Sequence, residues 1–161
     1  MSDLSTLPSP TLRDAPVIEM APEELRGVFA EAGATRFESV EDYAGLLLVL
    51  ARTVSPRDAI EWIWVKDLAD LCWEARRLRL AKAAALTVSR PHAAGDLVRA
   101  GLADADAAEI DGQAYRRKLD ELERLDRMTA ITGARRDAVL REIEQRRERI
   151  MAMRGRAMSE R

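Results

Sequence analysis

Apolar residues along this chain recur at helical spacing over two long stretches. Between Ile60 and Ala84, at about 100° per residue, Ile60, Trp64, Leu68, Leu71, Ala75 and Leu78 fall within one broad stripe. Trp62, Ala69, Trp73 and Leu80 line the opposite side. A helix apolar on two sides needs two partners, so this segment is expected to sit between neighbours. From Gln113 to about Arg156 a second pattern runs through Leu122, Leu125, Thr129, Thr132, Arg136, Val139, Ile143, Arg146, Ile150 and Met153, spaced alternately by three and four. That is a heptad seam interrupted by threonine and arginine, the mark of a coiled-coil-like helix rather than a dedicated zipper. Acid-before-base pairs such as Asp120–Arg124 and Asp137–Arg141 support it from its own surface.

Local punctuation sets the expected boundaries. Pro8, Pro10 and Pro16 among serines and threonines read residues 1–21 as an extended or disordered arm. Pro22 followed by Glu23 and Glu24, with Gly33 beyond, frames a short helix. Ser39 with Asp42 three residues on opens a second one, through Tyr43 and Leu47 to about Arg52. Ser55-Pro56-Arg57-Asp58 reads as the start of a long helix running to about Leu86, with Ser55 as its cap. Ser89-Arg90-Pro91, Gly95 and Gly101 then predict a loose connector over 87–112. Thr129 to Ala134, with two threonines and Gly133, is the weak point of the terminal helix, costing roughly 2 kcal/mol relative to alanine. The expected fold is all-α: an arm over 1–21, then one helical domain over 22–161. Within it two long helices, about 56–86 and 113–156, form a hairpin or bundle with the short N-terminal helices. Leu68, Leu71, Ala75 and Leu78 are expected to face Leu122, Leu125, Val139 and Ile143 in an antiparallel pairing.

Composition agrees: of 161 residues 47% are hydrophobic but only 4% aromatic, and 34% are charged, a helical profile. The longest apolar run, Leu46 to Ala51, is too short to cross a bilayer. Met1 to Leu4 lacks a basic leader, so a cytoplasmic location is expected. Cys72 is the only cysteine and His92 the only histidine, which excludes an internal disulfide and a zinc site of Cys and His ligands. The net charge of −2 conceals a gradient, from −5 over residues 1–58 to +5 over residues 114–161.

The stretch EWIWVKDLADLCWEARRLRLAKAA, followed by LERLDRMTAITGARRDAVLREIEQRRE, resembles a set of uncharacterised short helical proteins of alphaproteobacteria, in which a Trp-bearing helix precedes an arginine-rich one. The resemblance covers roughly residues 55–150 and implies the helical fold but no activity and no site residue. Gly133 departs from it, standing where a better helix former is expected.

Candidate chemistry is sparse. Asp67, Asp70 and Glu74 share one helical face and have the spacing of a divalent-cation site, but Lys66 and Arg77 lie on the same strip and no histidine ligand accompanies them, so a solvated face or an ion-pair row is the better reading. With Cys72 inside a helix and His92 in the predicted connector, no nucleophile has a base beside it; no catalytic residue, metal or cofactor is assigned and no small-molecule substrate is expected. The expected function is therefore association: a helical interaction or assembly protein, joining copies of itself or another protein through Trp62, Trp73, Val139, Ile143, Ile150 and Met153. A competing arrangement, in which the chain covers Trp62 and Trp73 by itself, stays open. The alternative function is nucleic-acid binding through Arg146, Arg147, Arg149, Arg154 and Arg156, against which Glu142, Glu144 and Glu148 weigh.

Overall fold

The computed structural model describes residues 12–30, 32–35 and 38–159, the side chains of the last two excepted. Among the described residues the structure is helical with no strand: α1 Pro16–Met20, a 3-10 turn Glu23–Leu25, α2 Arg26–Phe29, α3 Val40–Val54, α4 Ala59–Arg99, α5 Ala107–Arg117 and α6 Leu119–Ser159. The all-α architecture with two long helices is the one expected. The chain divides into two compact units, residues 1–73 with 135–161, and residues 74–134, so that α4 and α6 each contribute to both.

In the first unit, α3 starts where the sequence placed it, with the Ser39 hydroxyl accepting the Asp42 N–H at 3.0 Å. Its end differs from expectation. Ser55 does not open the next helix but closes this one, in the left-handed conformation (φ 50°, ψ 65°), its N–H bonded to the Ala51 carbonyl at 2.9 Å. Asp58 caps α4 instead, one carboxylate oxygen accepting the Ile60 and Glu61 N–H groups at 3.0 Å each. The Ser-Pro pair is thus the corner between two helices.

Residues 12–21 are a correction to the predicted arm. Leu12, Val17, Ile18 and Ala21 are buried, and α1 packs on α3; the short apolar run Val17-Ile18 outweighs the neighbouring proline, which merely occupies the first position of α1. Residues 1–11, the rest of that arm, lie outside the described residues. Around this layer one core gathers Phe29, Tyr43, Leu47 and Ala51 from α2 and α3 with Trp62, Val65, Ala69 and Trp73 from α4. Phe29 meets Trp62 edge-on at 5.7 Å between ring centres, and Tyr43 meets Trp73 at 5.6 Å. Glu61, Leu68 and Leu71 lie on the other side of α4, all buried, and the bond from Arg147 to Glu61 identifies α6 as the neighbour there. The pairing is antiparallel, since Glu61 meets Arg147 while Asp67 feels the charge of Arg135.

In the second unit the expected connector is mostly helix. α4 continues through Pro91 because its inward residues, Ser89, Ala93 and Leu97, are buried while Pro91 itself is exposed, its ring on the solvent side. The Ser89 hydroxyl donates to the Ala114 carbonyl of α5 at 3.3 Å. The helix ends at Gly101 (φ +85°), with the Leu102 N–H returning to the Leu97 carbonyl at 2.9 Å, a closure for which a left-handed glycine is suited. Asp106 and Glu109 form a capping box that starts α5: the Asp106 side chain accepts the Glu109 N–H and the Glu109 side chain accepts the Asp106 N–H, both at 2.9 Å. The terminal helix therefore begins at Leu119 rather than Gln113, after a break at Lys118, and runs unbroken past Gly133. Ala75, Leu78 and Leu122 are buried, and Lys82 reaches across to Asp126 at 2.7 Å.

Candidate functional site

A polar cluster stands in the first unit, where the α3–α4 corner meets α6. Glu61 has no exposed side-chain surface. Arg147 approaches it with two nitrogens, Nε to Oε1 at 3.1 Å and Nη2 to Oε2 at 2.7 Å, and Nη2 also donates to the carbonyls of Val54 (2.7 Å) and Ser55 (3.3 Å). Those carbonyls are orphans left by the end of α3, so one guanidinium closes a helix terminus and neutralises a buried acid. The Arg57 N–H adds a bond to Glu61 Oε2 at 2.9 Å. Beside it the second oxygen of the capping residue Asp58 binds Arg146 at 2.8 Å. The hydrogen bond from Arg147 holds the Glu61 carboxyl below the usual range against the opposing effect of burial; the bond from Arg146 does the same for Asp58.

A second cluster joins α3 to α4. The hydroxyl of the fully buried Tyr43 donates to Asp70, whose two oxygens also receive Lys66 Nζ at 2.8 and 2.9 Å. Lys66 stands 5.4 Å from the centre of the Tyr43 ring. Burial, then the Asp70 contact, pushes the Tyr43 hydroxyl far up from its ordinary value. Asp67 is raised, chiefly by desolvation and then by the nearby Asp70. A shallow recess lined by Val28, Gly33, Ile63, Lys66, Asp67 and Asp70 opens here. A divalent cation would have to displace Lys66 from Asp70, and among the described residues no group of three His, Cys, Asp or Glu side chains has metal-binding geometry. Of the carboxylates in this strip, Asp70 is paired with Lys66.

The residues singled out from the sequence are not brought together. Trp62 and Trp73 are 6% and 4% exposed, covered within the chain by Phe29, Tyr43 and the rest of the core. Ile143 is buried and Val139 and Ile150 are half-buried, because the heptad seam of α6 faces inward; only Met153, 68% exposed, is a free apolar surface. Trp62, Trp73 and Ile143 of the assigned interface are thus buried inside the chain, whereas Leu80, on the same side of α4 as the two tryptophans, is exposed. Of the five arginines proposed for nucleic acid, Arg146 and Arg147 are spent on Asp58 and Glu61. Arg149 binds the Gln145 carbonyl and stands 3.8 Å from Glu142, and Arg154 and Arg156 are exposed. Cys72 is half-buried and His92 is on the exposed side of α4 with Nδ1 3.3 Å from the Val88 carbonyl, in a helix rather than a connector. The sequence reading does not find the Arg147–Glu61 pair: Arg147 lies one position past the seam residue Arg146, and the only local signal is a lone glutamate among the apolar positions of α4.

Among the described residues no helix is long and apolar enough to cross a membrane. Comparison with known proteins finds no matching family model, no matching curated protein and no matching solved structure.

Proposed function

We propose that this protein is a non-enzymatic helical interaction protein, acting by association with protein, a second copy of itself or another chain. The observation that supports this reading is the unequal use of side chains on the long helices. Charged groups such as Asp58, Glu61, Lys82, Asp126, Arg146 and Arg147 are engaged within the chain, while Leu80, Val88, Val98, Met128 and Ile131 stand in solvent. Large apolar residues gathered along a helix mark an interaction surface, whereas single scattered ones do not. The test is light scattering behind size exclusion over a concentration series, with affinity capture from the native host. A strictly monomeric protein at several hundred micromolar that retains no protein partner overturns the reading.

A second reading rests on the end of α6. From Arg149 to Ser159 the helix carries Arg149, Arg154 and Arg156 and no acid. Three phosphate contacts give a dependence of log affinity on log salt of about −3, far weaker than a dedicated binder. A labelled duplex titrated at 50 and 200 mM salt, with the full chain and with Arg154→Ala/Arg156→Ala, checks it; binding indifferent to those arginines overturns it.

A further inference from the structure

We infer that the groove between the α1 segment and α3 receives the end of α6, residues 149–159, of a second copy, whose own groove receives the same segment in return. This deepens the association reading and rests on it. The groove comes from a mismatch of lengths. On α3, Tyr43, Leu47 and Ala51 join the core, while Val40, Ala44 and Leu48, four apart along one flank, are left half-buried. α1 packs on α3 but has five residues against fifteen, about 8 Å of helix against about 22 Å, too short to cover that flank. What remains is a recess of about 500 Å³, walled by Val40, Ala44 and Leu48 on one side and by Leu12, Ala15 and Pro16 on the other.

Charge complementarity names the occupant. Among the described residues, the charged ones lining the recess are Asp14 and Glu41, both acidic and both exposed; Arg13, the nearest base in sequence, does not line it. The end of α6 is the converse. From Arg149 to Ser159 it carries Arg149, Arg154 and Arg156 and no acid, and between them Met151 and Met153 are 67% and 68% exposed. Exposure of that size means that the chain does not lodge these methionines in its own groove. Methionine is unbranched and fills irregular apolar recesses, and arginines beside it then meet the carboxylates at the edge. The pairing is also reciprocal. Net charge runs from −5 over residues 1–58 to +5 over residues 114–161, so two copies about a two-fold axis each set a basic helix end against the other's acidic part.

The experiment is sedimentation equilibrium of the full chain from about 1 to about 500 µM, at about 50 and about 300 mM salt. The wild type is compared with Asp14→Arg/Glu41→Arg, with Arg154→Glu/Arg156→Glu, and with an equimolar mixture of these two variants. Expected is a wild-type dimer whose dissociation constant rises at least about 10-fold in either variant alone, rises with salt, and returns to the wild-type range in the mixture, where each groove again meets an end of opposite charge. Should a charge variant fold poorly, Gly45→Cys and Met153→Cys, each in a Cys72→Ser background, replace it. Both positions are exposed and a Cβ at Gly45 meets nothing within 4 Å, so mild oxidation of their mixture is expected to link one variant to the other. Absence of that link overturns the groove as the seat of α6. A dimer indifferent to both charge variants, or a mixture as weak as its components, overturns this pairing and leaves association standing. A wild type monomeric at every concentration overturns the second copy as occupant, whether or not another protein binds. One that dimerises only after Leu4→Ser/Leu7→Ser assigns the groove to the chain's own residues 1–11 and overturns it equally.

Discussion

Arg147 is the residue on which the α3–α4 corner depends. Removing it leaves a fully buried carboxylate and two helix-end carbonyls without their donor, so Arg147→Ala is expected to destabilise by about 3 kcal/mol at neutral pH, measured by denaturant unfolding. Arg146→Ala, at a pair partly open to solvent, is expected to cost under about 1 kcal/mol. The sign of the pH dependence follows from the lowered Glu61 and Asp58 carboxyls. The folded protein binds fewer protons than the unfolded chain near their ordinary values, so the stability they contribute is complete above about pH 4.5 and is lost as the pH falls through the lowered folded values. In Arg147→Ala the sense reverses for Glu61, which then prefers its proton; the gap between variant and wild type is expected to shrink between pH 7 and pH 3. A gap independent of pH would show that Glu61 is not the partner that matters.

Glycines divide into two kinds at the same scale. A Cβ at Gly133 meets nothing within 4 Å, and the residue sits inside α6, so Gly133→Ala is expected to raise stability by about 0.5 to 1 kcal/mol, read as an increase in Tm. A Cβ at Gly33 instead lands on the Asp70 carboxylate held by Tyr43 and Lys66, and Gly33→Ala is expected to destabilise.

At the scale of elements, α4 shows packing overriding punctuation. Its inward residues Ser89, Ala93 and Leu97 hold the helix through Pro91, at the cost of the hydrogen bond Pro91 cannot donate. Pro91→Ala is therefore expected to stabilise by at least about 1 kcal/mol without changing helix content, by thermal unfolding and circular dichroism. On the face of α4 toward α6, Leu68 is 1% exposed, and Leu68→Ala is expected to cost roughly 2 to 5 kcal/mol. An effect below half a kcal/mol would mean that this face is not packed as described.

For the molecule as a whole, the fold class, both long helices, the Ser39 cap and the two apolar faces of α4 were legible in the sequence, because each follows from a period or a short-range hydrogen bond. The Asp106–Glu109 box is a local signal that the sequence reading passes over, because the glycines and alanines around it read as weak order. What covers an apolar face is not a local property. Whether Trp62 and Trp73 meet Phe29 and Tyr43 or another chain depends on where distant segments fold back, and the heptad seam of α6 has the same spacing whether it faces α4 or a second molecule. Tertiary structure alone decided that Arg146 and Arg147 serve the fold, that Ser55 ends a helix rather than starting one, and that Leu80, Val88 and Val98 are exposed while Trp62 and Trp73 are buried. Periodicity states that a surface must be buried; only the long-range contacts, each weighed against the entropy of ordering the segments that make it, determine by what.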